Sequence, residues 1–152
     1  MRDHVGADGA IDYDAAIPLD AENLAEGGVG GAYARLAGHM RELGVEPDSI
    51  EEEDDGERYV ERALGREYVV HDEASDDPDA EPWGMGTFAP FDAVNRQLAG
   101  GTHLLYAVNG GNELMGIFLT PAAVERARAV LPRRADWPYL PTDDPEWGGM
   151  AH

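Results

Sequence analysis

The chain has no cysteine, no lysine and only two serines. Without cysteine, disulfide scaffolds, thiolate metal sites and thiol nucleophiles are excluded together. Without lysine there is neither a P-loop lysine nor Schiff-base chemistry. The serines lie in Asp48-Ser49-Ile50 and Ala74-Ser75-Asp76, and neither stands in the Gly-x-Ser-x-Gly elbow that presents a nucleophile. The histidines His4, His39, His71, His103 and His152 are scattered, with no His-Glu-x-x-His and no pair at helical metal spacing. No run of about 18 apolar residues occurs, and the first eight residues lack a basic stretch followed by an apolar one. A cytoplasmic protein that does not engage a membrane is therefore expected.

What the chain has in excess is acid. Its 152 residues carry 31 Asp and Glu against 11 arginines, a formal charge of -20. The excess is concentrated: Glu46 to Glu81 holds 16 of the acids and three arginines, Arg58, Arg62 and Arg66. A GC-rich coding bias or adaptation to high salt would produce acidity, but would spread it along the chain rather than cluster it. A surface of this sign attracts cationic proteins and repels phosphates and anionic membranes, so the expected partner is a basic protein and not nucleic acid.

The length suits one domain with a single core. Residues 1–16 are polar, acidic and aperiodic and read as a flexible acidic arm, followed by one α+β domain over 17–152. Asp20 is placed to cap the amides of Glu22 or Asn23, and apolar positions at Leu24, Val29, Tyr33, Leu36, Met40 and Leu43 fit one helical face up to the stop at Gly44. The run Gly27-Gly28-Val29-Gly30-Gly31 divides that helix or weakens its middle. Tyr59–Leu64 and Glu67–His71 read as a hairpin turning near Gly65, with Ser49–Glu53 as a charged edge strand. Residues 73–82 read as a loop, and 87–98 as a helix with Pro90 in its first turn.

Leu104–Val108 and Leu114–Leu119, joined through Asn109-Gly110-Gly111-Asn112, form the clearest hairpin; their continuous apolar character predicts strands covered on both faces. Thr120-Pro121 starts a last helix, to about Leu131. From about 132 an irregular tail carries Trp137 and Trp147, whose rings are expected against the domain. The fold class is thus α+β, with a mainly antiparallel sheet of about four to five strands and about three helices.

Site signals are few. The glycine run lacks a preceding strand, and Tyr33 stands where a dinucleotide fingerprint needs glycine, so nucleotide binding is not expected. Asp8, Asp12 and Asp14, and Asp76, Asp77, Asp79 and Glu81, lack the order of an EF-hand loop. Only Glu113, beside Leu114, hints at a carboxyl with an apolar neighbour, and catalytic carboxyls need burial to separate their pKa values. No catalytic residue, metal or cofactor is predicted. The predicted contact residues are Glu51, Glu52, Glu53, Asp54, Asp55, Asp72, Glu73, Asp76, Asp77, Asp79 and Glu81, which steer a cationic partner, with Trp83 as an aromatic anchor and Asn109 and Asn112 in a contact loop.

Ile17-Pro18-Leu19-Asp20-Ala21-Glu22, the Trp83–Leu98 helix, Tyr106-Ala107-Val108-Asn109-Gly110-Gly111-Asn112 followed by Ile117-Phe118-Leu119-Thr120-Pro121, and Trp137-Pro138-Tyr139-Leu140-Pro141 together span most of the chain. In these features it resembles the small acidic immunity proteins that accompany bacterial polymorphic and contact-delivered toxins. The resemblance implies a non-catalytic inhibitor that covers its toxin's active site or blocks a motion the toxin needs. Two other classes remain open: a small-ligand binder or hydrolytic enzyme with a pocket beside the 104–119 hairpin, and a DNA mimic with carboxylates spaced like phosphates.

Overall fold

The computed structural model describes residues 4–72 and 82–142. Among these residues the chain is α+β, with two three-stranded antiparallel sheets rather than the single sheet expected. The first sheet has the order β1 (Ile17–Pro18), β6 (Met115–Leu119), β5 (Leu104–Val108); the second has β2 (Glu51–Asp54), β3 (Arg58–Ala63), β4 (Arg66–Asp72).

Helix formation follows the local chemistry. Asp20 accepts a hydrogen bond from the Glu22 amide at 3.0 Å and opens the one-turn α1 (Ala21–Asn23). The chain then widens through Leu24–Gly28, where Gly27 takes φ 102°, a conformation that glycine reaches without strain. Helix α2 (Val29–Glu42) starts afresh and buries Val29, Ala32, Tyr33, Leu36, Ala37 and Met40. The glycine run is thus a kink between two helices.

Helix α3 spans Pro82–Leu98, five residues longer at its start than the sequence pattern suggests, and Pro90 falls inside it. Proline at the first helical position is favourable, whereas Pro90 removes the amide that would bond the Gly86 carbonyl. Gly86 itself lies against the chain at Leu24–Ala25: a Cβ there would sit 3.1–3.2 Å from their backbone atoms. This close crossing lets α3 touch both β4 and β5 and join the two sheets.

The β5–β6 hairpin is covered on both faces, which explains its apolar runs. Leu105, Ala107 and Phe118 join the main core with α2 and α3; Tyr106, Val108, Ile117 and Leu119 face Ala123, Val124 and Ala127 of α4 (Pro121–Val130). Thr120 caps α4 through the Ala123 amide at 3.1 Å. The tail stitches onto this layer: Tyr139 exchanges two backbone hydrogen bonds with Ala107, of 2.7 and 2.9 Å, and the Trp137 indole donates to the Leu131 carbonyl at 3.0 Å. Trp147 lies outside the described residues.

The segment read as an acidic arm is anchored to the domain at Val5. Val5 is only 3% exposed and shares a core with α4. A small loop closes through Gly6 N–H to Ala10 carbonyl at 2.9 Å and Asp12 N–H to His4 carbonyl at 2.8 Å, and Arg126 donates to the Val5 carbonyl at 3.1 Å. One buried valine and its backbone hydrogen bonds, rather than an apolar period, hold it.

Two glycines make opposite predictions. Gly38 in α2 has open space where a Cβ would stand, so Gly38→Ala should stabilise by about 0.5–1 kcal/mol. Gly86→Leu, forced against Leu24–Ala25, should destabilise by about 1–3 kcal/mol or more. Urea unfolding of the two variants reads both signs.

Candidate functional site: an acidic edge strand and a buried carboxyl

Strand β2 lies at the edge of its sheet, and its four residues, Glu51, Glu52, Glu53 and Asp54, are all exposed. The turn that follows is built from the same acids. Asp54 accepts from the Gly56 amide at 3.1 Å, and Asp55 accepts from Glu57 and Arg58 at 3.0 and 2.7 Å. The Arg58 and Glu57 amides hold the Asp55 carboxyl below its ordinary pKa.

Strand alternation divides the charge between two faces. On the outer face, Arg62 bridges Glu53 and Glu67 at 3.0 Å each, and Arg58 bridges Glu67 at 3.2 Å and Asp72 at 3.4 Å. Arg66 pairs with Asp92 at 3.3 Å and lies over the Tyr68 and Phe88 rings. The three arginines of the acidic stretch are therefore engaged with Glu53, Glu67, Asp72 and Asp92. Among the described residues no ion pair involves Glu51, Glu52, Asp54 or Glu57, so β2 and its turn keep a net negative charge.

The inner face holds a carboxyl that the sequence reading missed. Glu61 on β3 is 2% exposed. Tyr59 donates its hydroxyl proton to Glu61 Oε1 at 2.9 Å and accepts the Val29 amide at 3.0 Å, tying the sheet to the start of α2. Glu61 Oε2 has no donor, and the carboxyl of Glu52, its register partner across β2 and β3, interacts with the Glu61 carboxyl. Burial is the main cause that pushes the Glu61 carboxyl up from 4.5 to about 7; the Tyr59 hydrogen bond opposes it, and the Glu52 charge adds to it. Burial and the Glu61 carboxyl likewise push the Tyr59 phenol far up, so it stays protonated as a donor.

Glu52 also reaches the glycine run: its Oε2 lies 2.7 Å from where a Cβ on Gly30 would stand. The α2 start is thus faced by a carboxylate of the chain itself, which disfavours a phosphate there. Among the described residues no group of three or more His, Asp or Glu side chains is placed to hold a metal. No helix of these residues is long and apolar enough to cross a membrane.

The remaining predicted residues lie apart from this cluster or outside view. Asp72 belongs to the Arg58 ladder. The Asn109 carbonyl accepts the Tyr139 hydroxyl at 2.6 Å, and Asn112 Nδ2 donates to Asp20 at 3.0 Å and Glu22 at 2.9 Å. These two asparagines therefore fasten the hairpin turn to the tail and to α1. Glu113 is exposed, whereas the buried carboxyl is Glu61. Glu73, Asp76, Asp77, Asp79 and Glu81 lie outside the described residues, and Trp83 is the second residue of α3.

The described residues line two shallow grooves of note. One, of about 470 Å³, lies between Ser49, Glu51 and the Leu64–Gly65 turn; the other, of about 400 Å³, lies between Tyr106, Arg128 and Leu140 beside the β5–β6 hairpin. Neither includes Glu61, so the displaced carboxyl does not open into the hairpin groove that an enzymatic reading needs.

A signal for Glu61 did exist: Tyr59, Glu61 and Ala63 occupy alternate positions of one strand, and Tyr59 and Ala63 are core residues. Its pH dependence follows with a definite sign. Between pH 4.5 and 7 the folded state holds a proton that the unfolded chain has released, so this group's contribution makes stability fall as pH rises through that window and flatten above it. Glu61→Gln should therefore stabilise on the order of 2 kcal/mol at pH 8 and much less at pH 4. Urea unfolding at both pH values checks this; an equal gain at each would contradict it.

Compared with protein-family models, curated proteins and solved structures, the chain gives no match.

Proposed function

We propose that the chain is a non-catalytic binding protein that captures a basic protein through β2 and its turn, in the manner of a bacterial cytoplasmic immunity protein neutralising a cationic toxin. One observation carries this reading: four consecutive acids on an exposed edge strand, of which Glu53 alone is paired with an arginine among the described residues. An unbalanced face of one sign can raise association rates by roughly 10 to 1000-fold at low salt.

The edge position adds a second attraction. An edge strand offers unpaired backbone groups, and its acids repel another copy of itself while leaving a cationic segment welcome. Glu73, Asp76, Asp77, Asp79 and Glu81 follow β4 in sequence and add five acids to the stretch. Charge sets the rate and selectivity of encounter; buried contacts then set the dwell time.

The test begins with capture from the native host, followed by expression of the captured protein alone and together with this chain. The expected partner is strongly basic, lethal alone and tolerated in the pair. Replacing Glu51, Glu53, Asp54 and Asp55 with Gln or Asn should slow association at least tenfold at low salt and flatten its salt dependence, read by stopped flow. An unchanged rate would remove the steering role.

A further inference from the structure

Glu61 has no part in steering, because it is 2% exposed. Its surroundings nevertheless point at a ligand. From its own strand Tyr59 donates to Oε1; from α2 the Val29 amide backs that hydroxyl. From β4 the register neighbour is Tyr68, whose hydroxyl is committed to Asp92, itself paired with Arg66. From β2 comes the Glu52 carboxyl, with Asp54 nearby, one of its oxygens 3.1 Å from where a Cβ on Gly27 would stand. Among the described residues no cationic side chain pairs with Glu61 or Glu52.

Two carboxyls face each other, then, one buried and without a donor on Oε2, the other exposed. A pair so placed needs one positive charge between or beside it. We propose that Glu52 and Glu61 are the seat for a guanidinium or ammonium group of the basic partner, whose arrival at Glu52 expels the Glu61 proton to solvent. The inference rests on the acidic-strand reading and adds to it the residue pair that the partner's cation occupies. In the free protein the positive charge is a proton, retained because burial raises the Glu61 carboxyl to about 7. In the complex it is the partner's side chain, and the proton is the leaving species. A metal is the weaker candidate, since only two carboxyls converge and no third ligand joins them among the described residues.

Octa-arginine is the probe, titrated calorimetrically into the full chain at about 20 mM salt, in two buffers of different ionisation heat. Wild type should release a fraction of a proton near pH 7, and its affinity should rise up to about tenfold from pH 6 to pH 8, the span over which a group titrating near 7 empties. Glu61→Gln should bind without that proton release and lose most of that pH dependence, while Glu52→Gln should bind several-fold more weakly. Circular dichroism confirms that both variants fold. If wild type and Glu61→Gln show the same proton release and pH dependence, the seat is disproved and the acidic-strand reading stands. If Glu52→Gln binds as tightly as wild type while neutralising Glu51, Glu53, Asp54 and Asp55 weakens binding, the seat is again disproved. Failure of wild type to bind octa-arginine at all overturns both.

Discussion

A carboxyl on the core face of a sheet has to be given a proton, a donor or a cation, and Glu61 sets this requirement for everything around it. The donor is Tyr59, and Tyr59 in turn is oriented by the amide of Val29. That amide is available because α2 begins anew after the chain bends at Gly27. The bend also brings Leu24 and Ala25 against Gly86, which fixes how α3 crosses. A hydrogen-bonded junction of three residues thus links the kink, the second sheet and the helix that joins both sheets.

The same junction decides how β2 presents its acids. Because Glu52 faces inward to Glu61 and to Gly30, the alternation of the strand sends Glu51 and Glu53 outward, where Glu53 meets Arg62. The exposed Arg58 and Arg62 ladder contributes little to stability, since such pairs are worth on the order of 0–1 kcal/mol. Its larger effect is distributional. The guanidinium groups neutralise Glu53, Glu67 and Asp72. Negative charge is left at one end of the sheet.

Much of this was legible in the residues. The caps at Asp20 and Thr120, the turn at Leu64-Gly65 and the two-sided burial of β5 and β6 each follow from local chemistry that the structure displays. The early start of α3 was not legible, because Pro82, Gly84 and Gly86 read as breakers; Pro82 in fact opens the helix, and Gly86 serves a backbone crossing distant in sequence. The packing of residues 4–16 rests on Val5 and on hydrogen bonds to Arg126, which no period announces. The division into two sheets depends on where α3 passes, a tertiary fact. Glu61 was hidden for a simpler reason: a glutamate among glutamates reads as solvent-facing, and only its alternation with Tyr59 and Ala63 places it inward.

An acidic edge has two consequences that are usually treated separately. Rows of like charge on an edge strand keep copies of a protein from pairing through their backbones, and this protection needs no partner. It does not, however, require the arginines of the same sheet to be drawn to the other face, nor a carboxyl to be buried behind the edge at the cost of keeping it protonated. A sheet selected only against self-association would be more stable with an apolar residue in place of Glu61, as buried ionisable groups generally are when replaced by packed hydrophobic ones. Under the proposed seat, keeping Glu61 would make the edge responsive to positive charge as well as repellent to its own kind. On the proposed reading, repulsion toward a second copy and attraction toward a cation are two separate properties of one edge.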